Sequence, residues 1–245
     1  MKVLVTGSEG FVGTKVCEGL RDAGMTVFPY DIVLGDDLFD TEKLAKSMKG
    51  MDAVIHLAAY PHRHSVRVMW KKKEDEIDRK EEFREFVRLN VEGTKQVYEE
   101  AVKANVPRFI YASSGAVYGF EDGFPTPSGI ITISDHPDVN DAKLHPYARS
   151  KLLAEEILWL LHRTLYNAPE TIILRVNWIQ DPTLGNGISG PEWKGATCSI
   201  RRMVDGFVNA VRAEIFGKIV TVDLIEKNET WEGSIDASDI LFRGE

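Results

Sequence analysis

The sequence predicts an α/β fold built on a doubly wound parallel sheet, and three observations predict it. Short apolar runs alternate with amphipathic stretches along the chain. The apolar runs are continuous, as in strands buried on both faces. A glycine-spaced turn separates the first run from the first amphipathic stretch, where such sheets place a phosphate-binding loop.

Taken in order, residues 2–6 (KVLVT) are a buried strand, and residues 12–23 carry Val12, Val16 and Leu20 on one helical stripe that Gly24 stops. Residues 26–30 (TVFPY) form a second strand, followed at once by Asp31. Residues 41–49 read as a helix capped by Thr41, and residues 52–58 (DAVIHLA) as a buried strand. A long charged helical stretch covers 74–104. The strand 108–113 (RFIYAS), the helix 147–165 and the strand 171–176 (TIILRV) follow, then a helix over 200–214 and a last strand over 218–223 (KIVTVD). Strands bounded by helices, joined by right-handed crossovers, give a parallel sheet covered on both sides. With no internal repeat or linker, residues 1–245 read as a single domain, with 178–245 as a short substrate-side extension packed on it. The mixed-charge run 71–82 (KKKEDEIDRKEE) reads as a solvated helix face, with a flap near the active site as the alternative.

Composition narrows the function. The 245 residues, 43% of them hydrophobic, suffice for one well-filled core. A formal net charge of −8 repels phosphate backbones, which argues against a nucleic-acid partner. Cys17 and Cys198 lack metal-ligand spacing and suggest buried thiols in a reducing compartment. Lys2-Val3-Leu4-Val5 runs straight into glycines, and no stretch reaches the ~18 apolar residues of a membrane span. The expectation is a cytoplasmic protein with no membrane partner.

Gly7, Gly10 and Gly13 are spaced G-x-x-G-x-x-G between the first strand and first helix. The first permits a tight turn, the second lets backbone approach a pyrophosphate, and the third lets helix pack on strand, with the helix N-terminus facing the phosphates. The pattern is a Rossmann-type dinucleotide fingerprint. Asp31, eighteen residues after Gly13, can accept both adenosine ribose hydroxyls and would repel a 2′-phosphate, favouring NAD over NADP; alternatively it caps a turn. Asp37 and Leu38 lie in a loop placed to meet the adenine. Leu57, Ala58 and Ala59 end the next strand with small residues that admit the cofactor. Phe11, Val12, Ile32, Asn90 and Ser113 complete the expected cofactor contacts.

Tyr147-x-x-x-Lys151 puts a phenol and an ammonium one helical turn apart on one face. An ordinary tyrosine titrates near ~10, too high for a base at neutral pH, and a neighbouring ammonium together with a positive nicotinamide ring would favour the phenolate and lower that value. The same spacing also occurs on ordinary amphipathic helices. Ser113 and Ser114 end the 108–113 strand, where a hydroxyl can hold a substrate oxygen as charge develops. Asn90 is a polar residue within a helix, suited to organising backbone or a relay water.

These pieces, in this order, resemble the extended short-chain dehydrogenase/reductase family, also called the NAD-dependent epimerase/dehydratase family. The matching segments are VTGSEGFVG (5–13), Asp31, DDLFD (36–40), DAVIHLAA (52–59), LNVEGT (89–94), YASSGAVYG (111–119), YARSK (147–151) and LRV (174–176). The resemblance implies a catalytic set of Ser114, Tyr147 and Lys151, with both Tyr147 and Lys151 also touching the cofactor NAD. It also implies a homodimer through the helices 90–104 and 147–165, with Tyr98 and Trp159 at the interface, whereas burial of their apolar residues against the sheet is the intramolecular alternative.

The chain departs from the family's nucleotide-sugar enzymes in two ways. It ends about 65 residues after LRV, and Trp178 stands where those enzymes place an asparagine. Its length is similar to that of uronate dehydrogenases and short archaeal NAD-dependent sugar-phosphate dehydrogenases. Those carry Ser-Ser-Asn-His at the strand end, where this chain has Ser113-Ser114-Gly115-Ala116, the epimerase form. The expected activity is therefore hydride transfer on a sugar, sugar acid or sugar phosphate. A UDP-glucose 4-epimerase-like reaction with recycled NAD is the alternative, and a non-catalytic NAD-binding protein is disfavoured because Tyr147 and Lys151 are both present. The loop Tyr60-Pro61-His62-Arg63-His64 borders the substrate in this reading. Without a carboxylate or cysteine at matching spacing, its histidines do not suggest metal. Arg63, Arg67, Arg201 and Arg202 are candidates to pair with an anionic substrate group, or are surface residues.

Overall fold

The backbone follows the alternation of the sequence. A computed structural model describes residues 1–60, 79–118, 131–132, 138–140, 144–180, 197–215, 217–225 and 231–232. The chain opens with strand β1 (Lys2–Thr6), helix α1 (Phe11–Asp22), β2 (Thr26–Tyr30), a 3-10 turn (Ile32–Leu34), α2 (Thr41–Met48) and β3 (Ala53–His56). Next come α3 (Arg79–Glu85), a π-helical segment (Phe86–Gly93), α4 (Thr94–Lys103), β4 (Arg108–Ser114) and a 3-10 turn (Gly115–Tyr118). The two-residue β5 (Ile131–Thr132), α5 (Pro146–Thr164), β6 (Glu170–Val176), β7 (Trp178–Gln180), β8 (Thr197–Ser199), α6 (Ile200–Arg212), β9 (Ile219–Leu224) and β10 (Trp231–Glu232) complete the description.

Six strands form one parallel sheet in the order β2-β1-β3-β4-β6-β9. Alternation within each strand divides the core between two faces. Val3 and Val5 of β1 join Ile55, Ile110, Leu174, Val222 and the buried stripes of α1 and α6 on one side. Leu4 joins Val54, Phe109, Tyr111, Ile173 and residues of α2, α4 and α5 on the other. Burial on both faces is the reason the strands read as continuous apolar runs. Two small parallel pairs, β7 with β8 and β5 with β10, lie outside this sheet. The chain turns from β1 outward to β2 and then back to β3, so the sheet's switch point lies between β1 and β3. Ligands of such sheets sit in the crevice at the carboxyl ends of those strands.

Several sequence expectations shift. The strand read over 52–58 stops at His56, because Leu57–Ala59 leave the sheet to meet the glycine turn. The long helix read over 74–104 is described only from Arg79, and it widens into the π segment before α4. Within 178–245, β9 pairs with β6 and α6 packs on α1, so these elements complete the main sheet and its cover. Tyr98 is fully buried, its hydroxyl shared with His162 and Thr171 at 3.2 Å each, so it is a core residue and not an interface one. Val97 and Ala101 are likewise buried intramolecularly, whereas Leu153 and Leu160 of α5 are exposed. Cys17 and Cys198 are both buried. No described helix is long and apolar enough to cross a membrane.

Candidate active site

The glycine turn is shaped by contacts that only glycine permits. Gly7 has φ +71°, and a Cβ there would lie 2.6 Å from Ala58 N. A Cβ on Gly13 would lie 2.0 Å from the Gly7 carbonyl oxygen. Gly10 is the N-cap of α1 and offers no side chain to the first turn, which holds no acidic residue. Its early N–H groups therefore face the crevice without an internal anion, together with the helix's partial positive charge. Phe11 and Val12 begin that turn half-buried.

Asp31 ends β2 beside this turn. Its Oδ2 accepts from Glu9 N at 3.0 Å and its Oδ1 from Val33 N at 3.0 Å. The carboxylate thus caps the 3-10 turn and ties it to the glycine loop, and each oxygen keeps a lone pair for a hydroxyl. Asp37 Oδ1 accepts from Phe39 N, and its carbonyl accepts from the Tyr30 hydroxyl at 2.7 Å. Leu38 is buried, Ile32 is 69% exposed, and Leu57, Ala58 and Ala59 are half-buried at the end of β3. Cradle, uncapped helix terminus and carboxylate together fit pyrophosphate and ribose of a dinucleotide.

The helix that carries Tyr147 and Lys151, α5, is held by its N-terminal cap and by Asn90. Pro146 occupies its first turn and His145 caps it, Nδ1 accepting from Tyr147 N at 3.2 Å. Asn90 reaches from the π segment: Oδ1 accepts from Tyr60 N at 2.6 Å, while Nδ2 donates to Tyr60 O at 3.2 Å and to Ser150 Oγ at 2.9 Å. Thr94 Oγ1 donates to the Asn90 carbonyl at 2.7 Å within the widened turn. Asn90 therefore organises backbone, joining the chain after β3 to α5.

Ser114 and Tyr147 meet: the Ser114 hydroxyl hydrogen-bonds the phenol and also accepts from Ala116 N at 3.2 Å. Lys151 is buried, donates to the Ala112 carbonyl at 2.9 Å and lies 5.0 Å from the Tyr111 ring centroid. Burial raises the Tyr147 phenol and the Ser114 hydrogen bond offsets part of that rise. Among the protein's own groups, burial is the largest influence on the phenol. Burial also pushes the Lys151 ammonium down to about 8, with Glu155 pulling it up. Ser113 turns its hydroxyl to Glu155, so that side chain is committed to α5.

Sequence reasoning missed a buried polar chain behind these groups. Arg175 Nη2 donates to Glu155 Oε2 at 2.7 Å, and its Nη1 donates to the Tyr118 hydroxyl at 2.7 Å. Tyr118 in turn donates to Asp223 Oδ2 at 3.0 Å. The i+4 step from Lys151 to Glu155 was a readable signal; Arg175 and Asp223 had none, since strand register brings them there. His56 was missed as well: it is fully buried between Thr6 and Thr94. A Cβ on Gly115 would lie 2.0 Å from Asn177 Oδ1, so the strand end has no room for a side chain there.

Arg201 is exposed and pairs with Asp205 of its own helix, and Arg202 Nα is capped by Ser199 Oγ at 3.1 Å. His62, Arg63, His64 and Arg67 lie outside the described residues. Among the described residues no group of three or more His, Cys, Asp or Glu is placed to hold a metal ion.

Comparison with known proteins agrees with this geometry. Residues 3–177 match the NAD dependent epimerase/dehydratase family. The uncharacterized UDP-glucose epimerase YtcB of Bacillus subtilis is 25% identical over 206 residues, covering 74% of this chain and 58% of that protein. The chain spans about half the length of the curated relatives it matches. A short-chain dehydrogenase/reductase superfamily protein from Agrobacterium tumefaciens, solved with bound NAD, is 25% identical with a TM-score of 0.64, covering 99% of this chain and 81% of that one. A mutated uronate dehydrogenase is 19% identical with a TM-score of 0.61, covering 95% and 77% of the two chains. With that match over residues 3–177, the chain belongs to the NAD-dependent epimerase/dehydratase family of the extended short-chain dehydrogenase/reductases.

Proposed function

We propose that the protein oxidises a hydroxyl of a sugar, sugar acid or sugar phosphate with net turnover of NAD. The observation that carries this reading is the Ser114–Tyr147 hydrogen bond, one helical turn from Lys151 and beside the glycine cradle. Gly7, Gly10, Phe11, Val12 and Gly13 would receive the pyrophosphate, and Asp31 the adenosine ribose. NAD supplies the hydride acceptor and a cationic ring that favours the phenolate. Ser114 would hold the reacting oxygen, Tyr147 would take its proton, and Lys151 would hold the nicotinamide ribose. Because burial keeps the resting phenol protonated, proton removal depends on positive charge arriving next to it.

A second reading, epimerisation with NAD recycled in each turnover, draws on the Gly115–Asn177 packing that keeps the strand end in its epimerase form, and on the likeness to a UDP-glucose epimerase. Incubation with free uronates, sugar phosphates and UDP-glucose plus NAD separates the two. Stoichiometric NADH absorbance supports dehydrogenation, whereas product without NADH supports epimerisation. Tyr147→Phe lowers turnover by about 10²–10⁴-fold while NAD binding survives; near-full activity in that variant refutes both. The exposed Leu153 and Leu160 of α5 support pairing with a second copy, which sedimentation would test.

A further inference from the structure

Glu155 is 2% exposed and lies one helical turn beyond Lys151, two beyond Tyr147. The two candidate catalytic side chains and this carboxylate therefore share one face of α5. Among the described residues, the hydrogen-bond donors to the carboxylate come from the sheet. Ser113 of β4 donates to Oε1. Arg175 of β6 donates from Nε to Oε1 at 3.0 Å and to Oε2 at 3.2 Å, and from Nη2 to Oε2 at 2.7 Å. Ser113 and Arg175 are register partners, and Ser113 precedes Ser114. One buried carboxylate thus joins the helix carrying Tyr147 and Lys151 to the strand carrying Ser114.

The surroundings of Lys151 define what that charge does. Tyr111 and the Ala112 carbonyl of β4 face the ammonium, and Tyr147 precedes it on α5. The neutral ring of His56 stacks on Tyr111 from β3. Glu155 is the carboxylate whose field favours the ammonium. A buried ammonium without a counter-charge loses its proton. Arg175 holds Glu155 in a bidentate, charge-assisted pair, and Tyr118 and Asp223 occupy the far side of that guanidinium.

We propose that Glu155, clamped by Arg175, is a positioning residue that serves as the counter-charge of Lys151 and locks the Ser113–Ser114 strand tip against the catalytic helix. The inference rests on the reading that Lys151 and Ser114 take part in the reaction.

The test is the titration of Lys151 itself, followed by NMR on protein carrying ¹³C-labelled lysine side chains, with the resonance assigned by its loss in Lys151→Met. Glu155→Gln preserves shape and removes the charge. The expected result is a fall of the Lys151 midpoint by about one pH unit or more. Glu155→Asp keeps the charge and restores most of it. The kcat–pH profile moves in the same direction in Glu155→Gln, while KM for NAD changes little. An unchanged Lys151 midpoint overturns the proposal. Should the single variant fail to fold because Arg175 is left unpaired, Glu155→Gln/Arg175→Gln removes both charges and a smaller fall in the same direction is expected, because a repelling guanidinium is lost with the carboxylate. A midpoint unchanged there, or failure of both to fold, overturns it in favour of a purely structural role. Wild-type protein with no NAD-linked turnover but a shifted midpoint in Glu155→Gln sinks the proposed function and leaves the counter-charge standing.

Discussion

Acid should weaken this fold through a single imidazole. His56 ends β3 fully buried, with Nδ1 2.7 Å from Thr6 Oγ1 and Nε2 3.0 Å from Thr94 Oγ1. Thr94 spends its one hydroxyl proton on the Asn90 carbonyl, so it accepts from Nε2–H, and Nδ1 accepts from Thr6. The neutral ring is satisfied; a second ring proton would have no acceptor without turning the Thr6 hydroxyl. Burial, aided by the nearby Lys151 ammonium, pushes His56 down from 6.5 to about 3. The unfolded chain therefore binds this proton first, and stability is full above pH 6.5 and lost as pH falls from there toward 3. At ~1.36 kcal/mol per unit, the loss between about pH 7 and about pH 5 is about 2 kcal/mol, rising to about 4 kcal/mol near pH 3. Urea unfolding followed by tryptophan fluorescence at both pH values measures it. His56→Asn loses stability at every pH, but between about pH 7 and 5 it should lose about 2 kcal/mol less than wild type, since all other groups cancel in the comparison. Equal pH dependence in the two proteins would refute the buried neutral histidine.

Three further outcomes are expected. Gly13→Ala drives a methyl into the Gly7 carbonyl and the Ser8 backbone, costing about 3 kcal/mol or more in a thermal melt; an unchanged melting temperature would contradict the close approach. Asp31→Ala releases the Glu9 and Val33 N–H groups and lowers NAD affinity about tenfold or more by calorimetry, with preference over NADP relaxed. Asp223, raised by burial to about 6 against 3.8, binds its proton more tightly when folded, so its contribution falls as pH rises from 3.8 through 6. Asp223→Asn therefore stabilises the protein above that window, by up to about 3 kcal/mol near pH 7, and the gain vanishes near pH 4; a gain of equal size at both pH values would show another cause.

Much of the site was readable because it is local. The glycine turn, Asp31 at the end of the next strand and the Tyr147–Lys151 step each lie within one or two adjacent elements. Their spacing reflects geometry that any strand–turn–helix imposes. What was not readable is nonlocal. Asn90 was legible as an oddity inside a helix, but its partners Tyr60 and Ser150 are 30 and 60 residues away. Tyr98, which the family resemblance offered at an interface with burial against the sheet as the alternative, is core, because α4 turns it onto Thr171 of β6. The burial that raises the Tyr147 phenol was out of reach for the same reason, since desolvation depends on everything packed around it.

The amino-acid sequence determined the succession of strands and helices, the phosphate-type turn and the chemistry of the Tyr-Lys pair, because periodicity and short spacings act within single elements. Tertiary structure decided the strand order, and with it the row Ser113–Arg175–Asp223 across three neighbouring strands. It also decided the burial of His56 and Glu155 and the steric closure between Gly115 and Asn177. These depend on register and desolvation, properties of segments brought together across tens of residues, which no local pattern encodes.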